Sequence, residues 1–219
     1  MLWSKLCFVF VGMVGFGSAF TPLAVRRSPL NTVLGMSDVD TWIAAPADVA
    51  TEQLTLIDAN LKRLMDDKGL RHFMGKNNGE EDLTLEEIDK DDRYFIMASG
   101  GERGRYGLNV VYANTAALDV MCYNFAEITD TPATHMAKRG IDRKKYKAYL
   151  DTLEMRGKEG MDKEYFGFRS SNMGIRFYIR EGMMWNLYDD DGNYCGQALF
   201  FDRKKACFTD PDLHSLYGI

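Results

Sequence analysis

The sequence predicts an α+β fold: an antiparallel sheet made of a C-terminal four-stranded meander and a central hairpin, with amphipathic helices packed on one face. Three observations predict it. Apolar residues recur at helical spacing through Val49, Leu54, Ile57, Leu61, Leu64 and Met65. Two runs rich in aromatic and β-branched residues, 94–98 and 108–113, flank a glycine-rich stretch. From Phe166 onward, short strand-like runs are separated by turn chemistry such as Asp189-Asp190-Asp191-Gly192-Asn193.

Taken in order, residues 37–47 read as an extended lead-in containing Trp42 and Pro46. Asp48 caps the first helix, and Gly69 stops it just after Lys68. Residues 75–82 are polar and read as a surface loop. Thr84-Leu85-Glu86-Glu87 then has the spacing of a capping box and starts a short helix ending near Asp91. The hairpin of 94–98 and 108–113 encloses a loop from Ser99 to Gly107. Between 114 and 128, Ala117, Val120, Met121, Phe125 and Ile128 fit one helix face behind an Asn114 cap, although Leu118, Val120 and Cys122 also alternate as in a strand; helix is favoured. Asp142 caps the clearest helix, whose Tyr146, Tyr149, Leu150 and Leu153 share a face. The meander follows, with strands at 175–180 and 183–188 around Glu181-Gly182, then 194–201 and 206–209. Trp185 is expected in the core, between Tyr178 and Phe200 on neighbouring strands.

The amino end differs from the rest, because no Asp or Glu precedes Asp38 although the chain holds 32 of them. Lys5 precedes a short apolar run, and Gly17-Ser18-Ala19 supplies small residues for a cut, which together read as a signal peptide over residues 1–19. The run is too short to span a bilayer, which takes about 20 residues. Phe20-Thr21-Pro22 then leads into a basic, hydroxylated segment with Arg26, Arg27, Ser28 and Thr32, ending at Met36. Ser18-Ala19-Phe20 followed by such a segment resembles the bipartite presequence of nucleus-encoded plastid proteins in algae with complex red-lineage plastids. The resemblance covers residues 1–36 and implies a transit segment over 20–36, a single mature domain over 37–219, and delivery to the plastid stroma or the stromal face of the thylakoid.

Removal of that presequence takes the 27 basic residues to 24 against 32 acidic ones, a net charge of about −8. Such a balance disfavours nucleic acid as a partner. No transmembrane helix is expected in the mature chain. Cys122, Cys195 and Cys207 are odd in number and lack metal-type spacing, so they read as thiols, with a Cys195–Cys207 pair on neighbouring strands as the sharper alternative.

Candidate chemistry is thin. Gly100-Gly101-Glu102-Arg103-Gly104-Arg105-Tyr106-Gly107 has glycines and arginines suited to an anion, but a strand follows it where a nucleotide site needs a helix, so a long hairpin tip is favoured. The aspartate turn lacks calcium-loop spacing, and His72, His135 and His214 share no ligand spacing. No catalytic, metal or cofactor-binding residue stands out, and no cofactor is named by the sequence. The 13 Phe, 11 Tyr and 13 Met exceed what a core alone explains, and Tyr165-Phe166-Gly167-Phe168 and the tail at 213–219 place some of them in expected loops and ends. Arg103, Arg105, Trp42 and Tyr217 are therefore the candidate partner-binding residues. Two functions follow: a non-catalytic peripheral subunit or assembly factor docked on a protein complex at the thylakoid surface, on the stromal side of a photosystem or antenna; or, alternatively, a stromal protein or enzyme that binds a pigment, tetrapyrrole or lipid between sheet and helices.

Overall fold

The structure, a computed structural model, describes residues 44–75, 83–129, 131–137 and 140–208, with the side chains of 141 and 205–208 left undescribed. The chain divides between residues 36 and 37, and every described residue belongs to the second part. The expected presequence, Trp42 and Tyr217 lie outside the described residues.

Helix α1 (Ala47–Leu64) begins behind Pro46, with Asp48 inside its first turn rather than capping it. A short α2 (Leu70–Met74) follows, which the sequence did not reveal. Its start is fixed by Asp58, whose Oδ1 accepts the Leu70 N–H at 2.7 Å. A Cβ on Gly69 would lie 2.2 Å from that same oxygen, so the approach requires glycine. Helix α3 (Leu85–Lys90) carries the expected capping box: Thr84 Oγ1 accepts the Glu87 N–H, and the Glu87 carboxylate accepts the Thr84 N–H.

Strand β1 (Tyr94–Gly104) and strand β2 (Gly107–Ala113) form the central hairpin, and the glycine-rich stretch belongs to the ladder up to a two-residue turn at Arg105-Tyr106. The helix expected over 114–128 is broken in two. Asn114 caps α4 (Thr115–Met121), Cys122 takes a left-handed conformation, and α5 (Phe125–Thr129) restarts behind Asn124. A 3-10 turn, Ala133–Met136, leads to α6 (Gly140–Met155), which contains Asp142 in its first turn. Strand β3 (Met161–Ser170), β4 (Arg176–Tyr188), β5 (Tyr194–Asp202) and the short β6 (Ala206–Phe208) complete the chain.

All pairings are antiparallel, in the order β2-β1-β5-β4-β3, with β6 beside the first residues of β4. The α+β class and the antiparallel sheet with packed helices are as the sequence predicts. Glu181-Gly182, expected to be a turn, runs inside β4, where Gly182 pairs with Phe201. Tyr178 therefore shares a strand with Trp185 rather than flanking it. Helices also cover both faces, not one. Leu54, Ile57 and Leu61 of α1, with α2 and α3, pack on Ile96, Ala98, Tyr112, Trp185 and Phe200. Residues of α4, α5 and α6 pack on Phe95, Met97, Val110, Ile179, Leu199 and Phe201. Neighbours such as Phe95 and Ile96 feed opposite layers, which is why the strands read as nearly continuous apolar runs.

Candidate functional site

The layer between the sheet and α4–α6 holds the chemically unusual group. One face of α6 brings Tyr146, Tyr149, Leu150 and Leu153 down onto the sheet. Opposite it, β3 alternates: Tyr165 and Arg169 are buried, while Phe166 and Phe168 point to solvent at 68% and 44% exposure. Those two aromatics thus fit the expected exposure, but on a strand rather than a loop. Gly167 lies between the buried pair, and a Cβ there would sit 2.5 Å from the Tyr165 hydroxyl, so its absence makes room for the Arg169–Tyr165 contact.

Arg169 is only 4% exposed. Its guanidinium lies over the Tyr146 ring, 3.6 Å from the centroid, and 5.2 Å from that of Tyr165. Nη1 donates to the Phe168 carbonyl at 2.8 Å and Nη2 to the Tyr165 hydroxyl. Nε is buried with no acceptor, and no carboxylate pairs with Arg169 among the described residues. A desolvated cation–π contact contributes about 2 kcal/mol. Burying an ion costs several. The charge is therefore under-compensated by the protein alone. Beside it, Tyr149 donates to Asp162 Oδ2 at 2.7 Å, and burial, assisted by that carboxylate, pushes the phenol pKa well up.

Asn186 and Gln197, also buried in this layer, are satisfied, which marks them as structural. Asn186 Nδ2 donates to the carbonyls of Leu153 and Gly157, and Gln197 Nε2 donates to Leu150 O and Asn186 Oδ1, tying the end of α6 to β4 and β5.

Among the expected partner-binding residues, Arg103 does not present a free charge. Its Nη1 meets Asp151 at 3.0 Å and its Nη2 meets Glu154, both on α6. The pair closes a surface groove of about 420 Å³ lined also by Met155, Tyr188 and Tyr194. Arg105 is exposed beside the Tyr106 ring, 5.5 Å from its centroid. A Cys195–Cys207 pair is ruled out by register. Cys207 pairs with Tyr178, whereas Cys195 lies between Tyr194 and Gly196, partners of Tyr188 and Leu187. Nine residues of β4 therefore separate the two positions, about 30 Å at strand rise. Cys195 is a free thiol, with burial raising its pKa.

Arg169 escaped the sequence reading. The alternation of Tyr165, Gly167 and Arg169 against Phe166 and Phe168 was the available signal of a strand with two different faces; nothing local signalled which face would be buried.

Residues 95–205 match the MEKHLA domain family, a span that runs from the second residue of β1 through β5 and takes in α4–α6. The chain belongs to the MEKHLA domain family. This assignment corrects the expectation of a peripheral subunit or assembly factor of a photosynthetic complex: the family segment comprises β1–β5 with the α4–α6 layer, and within it Arg103 is already paired to α6 rather than held out for an acidic partner. Among solved structures, this MEKHLA chain is similar to a light-oxygen-voltage domain studied with a flavin analogue, at 17% identity over 57% of this chain and 83% of that one, TM-score 0.40. It is also similar to a PAS domain from Colwellia psychrerythraea (14%, 50% and 85%, 0.39) and to the dark-state LOV domain of the blue-light photoreceptor Aureochrome1 (13%, 64% and 94%, 0.38). No curated protein matches the sequence. No helix among the described residues is long and apolar enough to cross a membrane.

Proposed function

We propose that this MEKHLA domain is a signal-sensing, small-molecule-binding module whose ligand occupies the layer between the sheet and α4–α6, and that it works in the plastid stroma. One observation carries the reading: a buried guanidinium with an unused donor stands within an apolar layer. Small-molecule sites combine such a lining with a few convergent polar groups. The lining suits an adaptable pocket, since Met97, Met121, Met136 and Met184 share the layer with Phe95, Phe177, Phe201 and the buried Tyr146 and Tyr165, and thioether chains repack at low cost. Pigments, tetrapyrroles and lipids match a lining of this kind.

Support for the plastid comes from the presequence resemblance of residues 1–36. A fluorescent fusion of that segment should enter the plastid, and Phe20→Ala should stop it before the plastid. For the ligand, the protein purified from its native source should carry a compound that organic extraction and mass spectrometry identify. A protein that is colourless, lipid-free and indifferent in melting temperature to pigments, tetrapyrroles and lipids would refute the binding reading.

A further inference from the structure

We infer that the ligand carries a single carboxylate, accepted by Arg169 Nε–H and by the hydroxyl of Tyr165; this rests on the binding reading above and names its ligand class. The argument begins with charge. Arg169 is buried, and among the described residues no acidic side chain neutralises it and its Nε–H has no acceptor. An aromatic face lowers the cost of burying the cation but supplies no acceptor along the N–H direction. A negatively charged oxygen at Nε would do both.

Tyr165 supplies the second donor. Its oxygen accepts from Arg169 Nη2, which leaves its own proton for another acceptor. The occupant is therefore a group with at least two lone pairs and a negative charge. Charge count then chooses among anions. Arg169 is the guanidinium over the Tyr146 and Tyr165 rings, and no second Lys or Arg shares those rings among the described residues. One cation balances a carboxylate; a phosphate dianion would remain half-neutralised in a layer built of Met97, Val110, Leu150, Ile179 and Leu199. The rest of the ligand is apolar for the same reason. Its polar head lies at the sheet edge, since β3 is the terminal strand, where Asn172 N–H holds the strand end to the Met121 carbonyl of α4 at 2.8 Å.

The test compares acids with their esters on the full mature chain. Palmitate and methyl palmitate form one pair, and the monocarboxylic tetrapyrrole pyropheophorbide a and its methyl ester the other, titrated by calorimetry and, for the tetrapyrroles, by absorbance. In at least one pair the acid should bind at least tenfold more tightly than the ester, and which pair does so separates a lipid from a tetrapyrrole. Tyr165→Phe should weaken the acid by about tenfold to a hundredfold, the effect of one hydrogen bond to a charged group. Arg169→Gln should abolish the preference for acid over ester, and Arg169→Lys should restore part of it. Saturable binding of acid and ester with equal affinity to the unaltered protein would overturn this inference while leaving the binding reading intact, and it needs no variant to fold. Binding of none of the four would overturn this inference, whereas the binding reading falls only if the natively purified protein also carries no extractable compound.

Discussion

The Arg169 guanidinium lies over the ring of Tyr146, 3.6 Å from its centroid, so a charge from the edge strand is buried against helix α6. Removing the ring face should expose the cost of that burial. Tyr146→Leu, similar in apolar character but without π density, should lose about 2 kcal/mol in urea unfolding. Tyr146→Phe keeps the face and should unfold within a few tenths of the unaltered protein. Equal losses in both would mean that the Tyr146 hydroxyl, not the ring face, is what stabilises this contact.

Asn114 links three elements and should be sensitive to both its oxygen and its nitrogen. Its Oδ1 accepts the N–H groups of Ile96 and Ala117, and its Nδ2 donates to the Tyr94 carbonyl at 2.8 Å, all in the interior. Asn114→Ala removes a helix cap and strands buried partners, so a loss of about 2–4 kcal/mol is expected. Asn114→Asp preserves the cap but turns a carboxylate oxygen toward the Tyr94 carbonyl. It should therefore also destabilise the domain in thermal melts at neutral pH. An Asp variant as stable as the parent would show that the cap alone matters.

Stability should depend on pH through Asp89. Burial raises its pKa, and the hydrogen bond from Tyr112, 2.7 Å long, only partly opposes this. With the folded pKa above the unfolded value of about 3.9, the contribution of the protonated acid is fully present below that value. It is lost as pH rises through the raised folded pKa. Asp89→Asn keeps an acceptor for Tyr112 without the charge. Relative to the parent, this variant should gain melting temperature between pH 4 and pH 7; a constant difference across that range would remove Asp89 as the cause.

The Arg103 clasp should be weak and salt-sensitive. Its partners Asp151 and Glu154 are themselves more than a third, or about a third, exposed, so the contribution lies below about 1 kcal/mol. Arg103→Gln should melt slightly lower than the parent at low ionic strength and together with it near 1 M salt, where the Debye length is about 3 Å. A difference that persists at high salt would mean that the arginine stem, not its charge, holds the hairpin tip to α6.

By itself the sequence determined what depends on near neighbours in the chain. The Thr84–Glu87 capping box, the Asn114 cap, the aspartate turn before β5 and the apolar face of α6 are all built from residues each no more than four positions from the next, and each stands where the sequence places it. The tertiary structure decided what depends on partners far along the chain. Gly182 reads as a turn because glycine favours one, yet pairing with Phe201 and Tyr165 on either side carries β4 straight through it. The helix expected over 114–128 breaks at Cys122, where the Asn172 N–H from the far end of β3 takes the neighbouring Met121 carbonyl. Both faces of the sheet are covered because α1–α3 and α4–α6 pack from opposite sides, a distribution that alternating apolar residues permit but do not dictate. Arg169 is the sharpest case. An arginine in an alternating strand is ordinarily a solvated charge, and only the arrival of α6, with Tyr146 placed over the guanidinium, turns it into a buried cation whose remaining donor calls for a ligand.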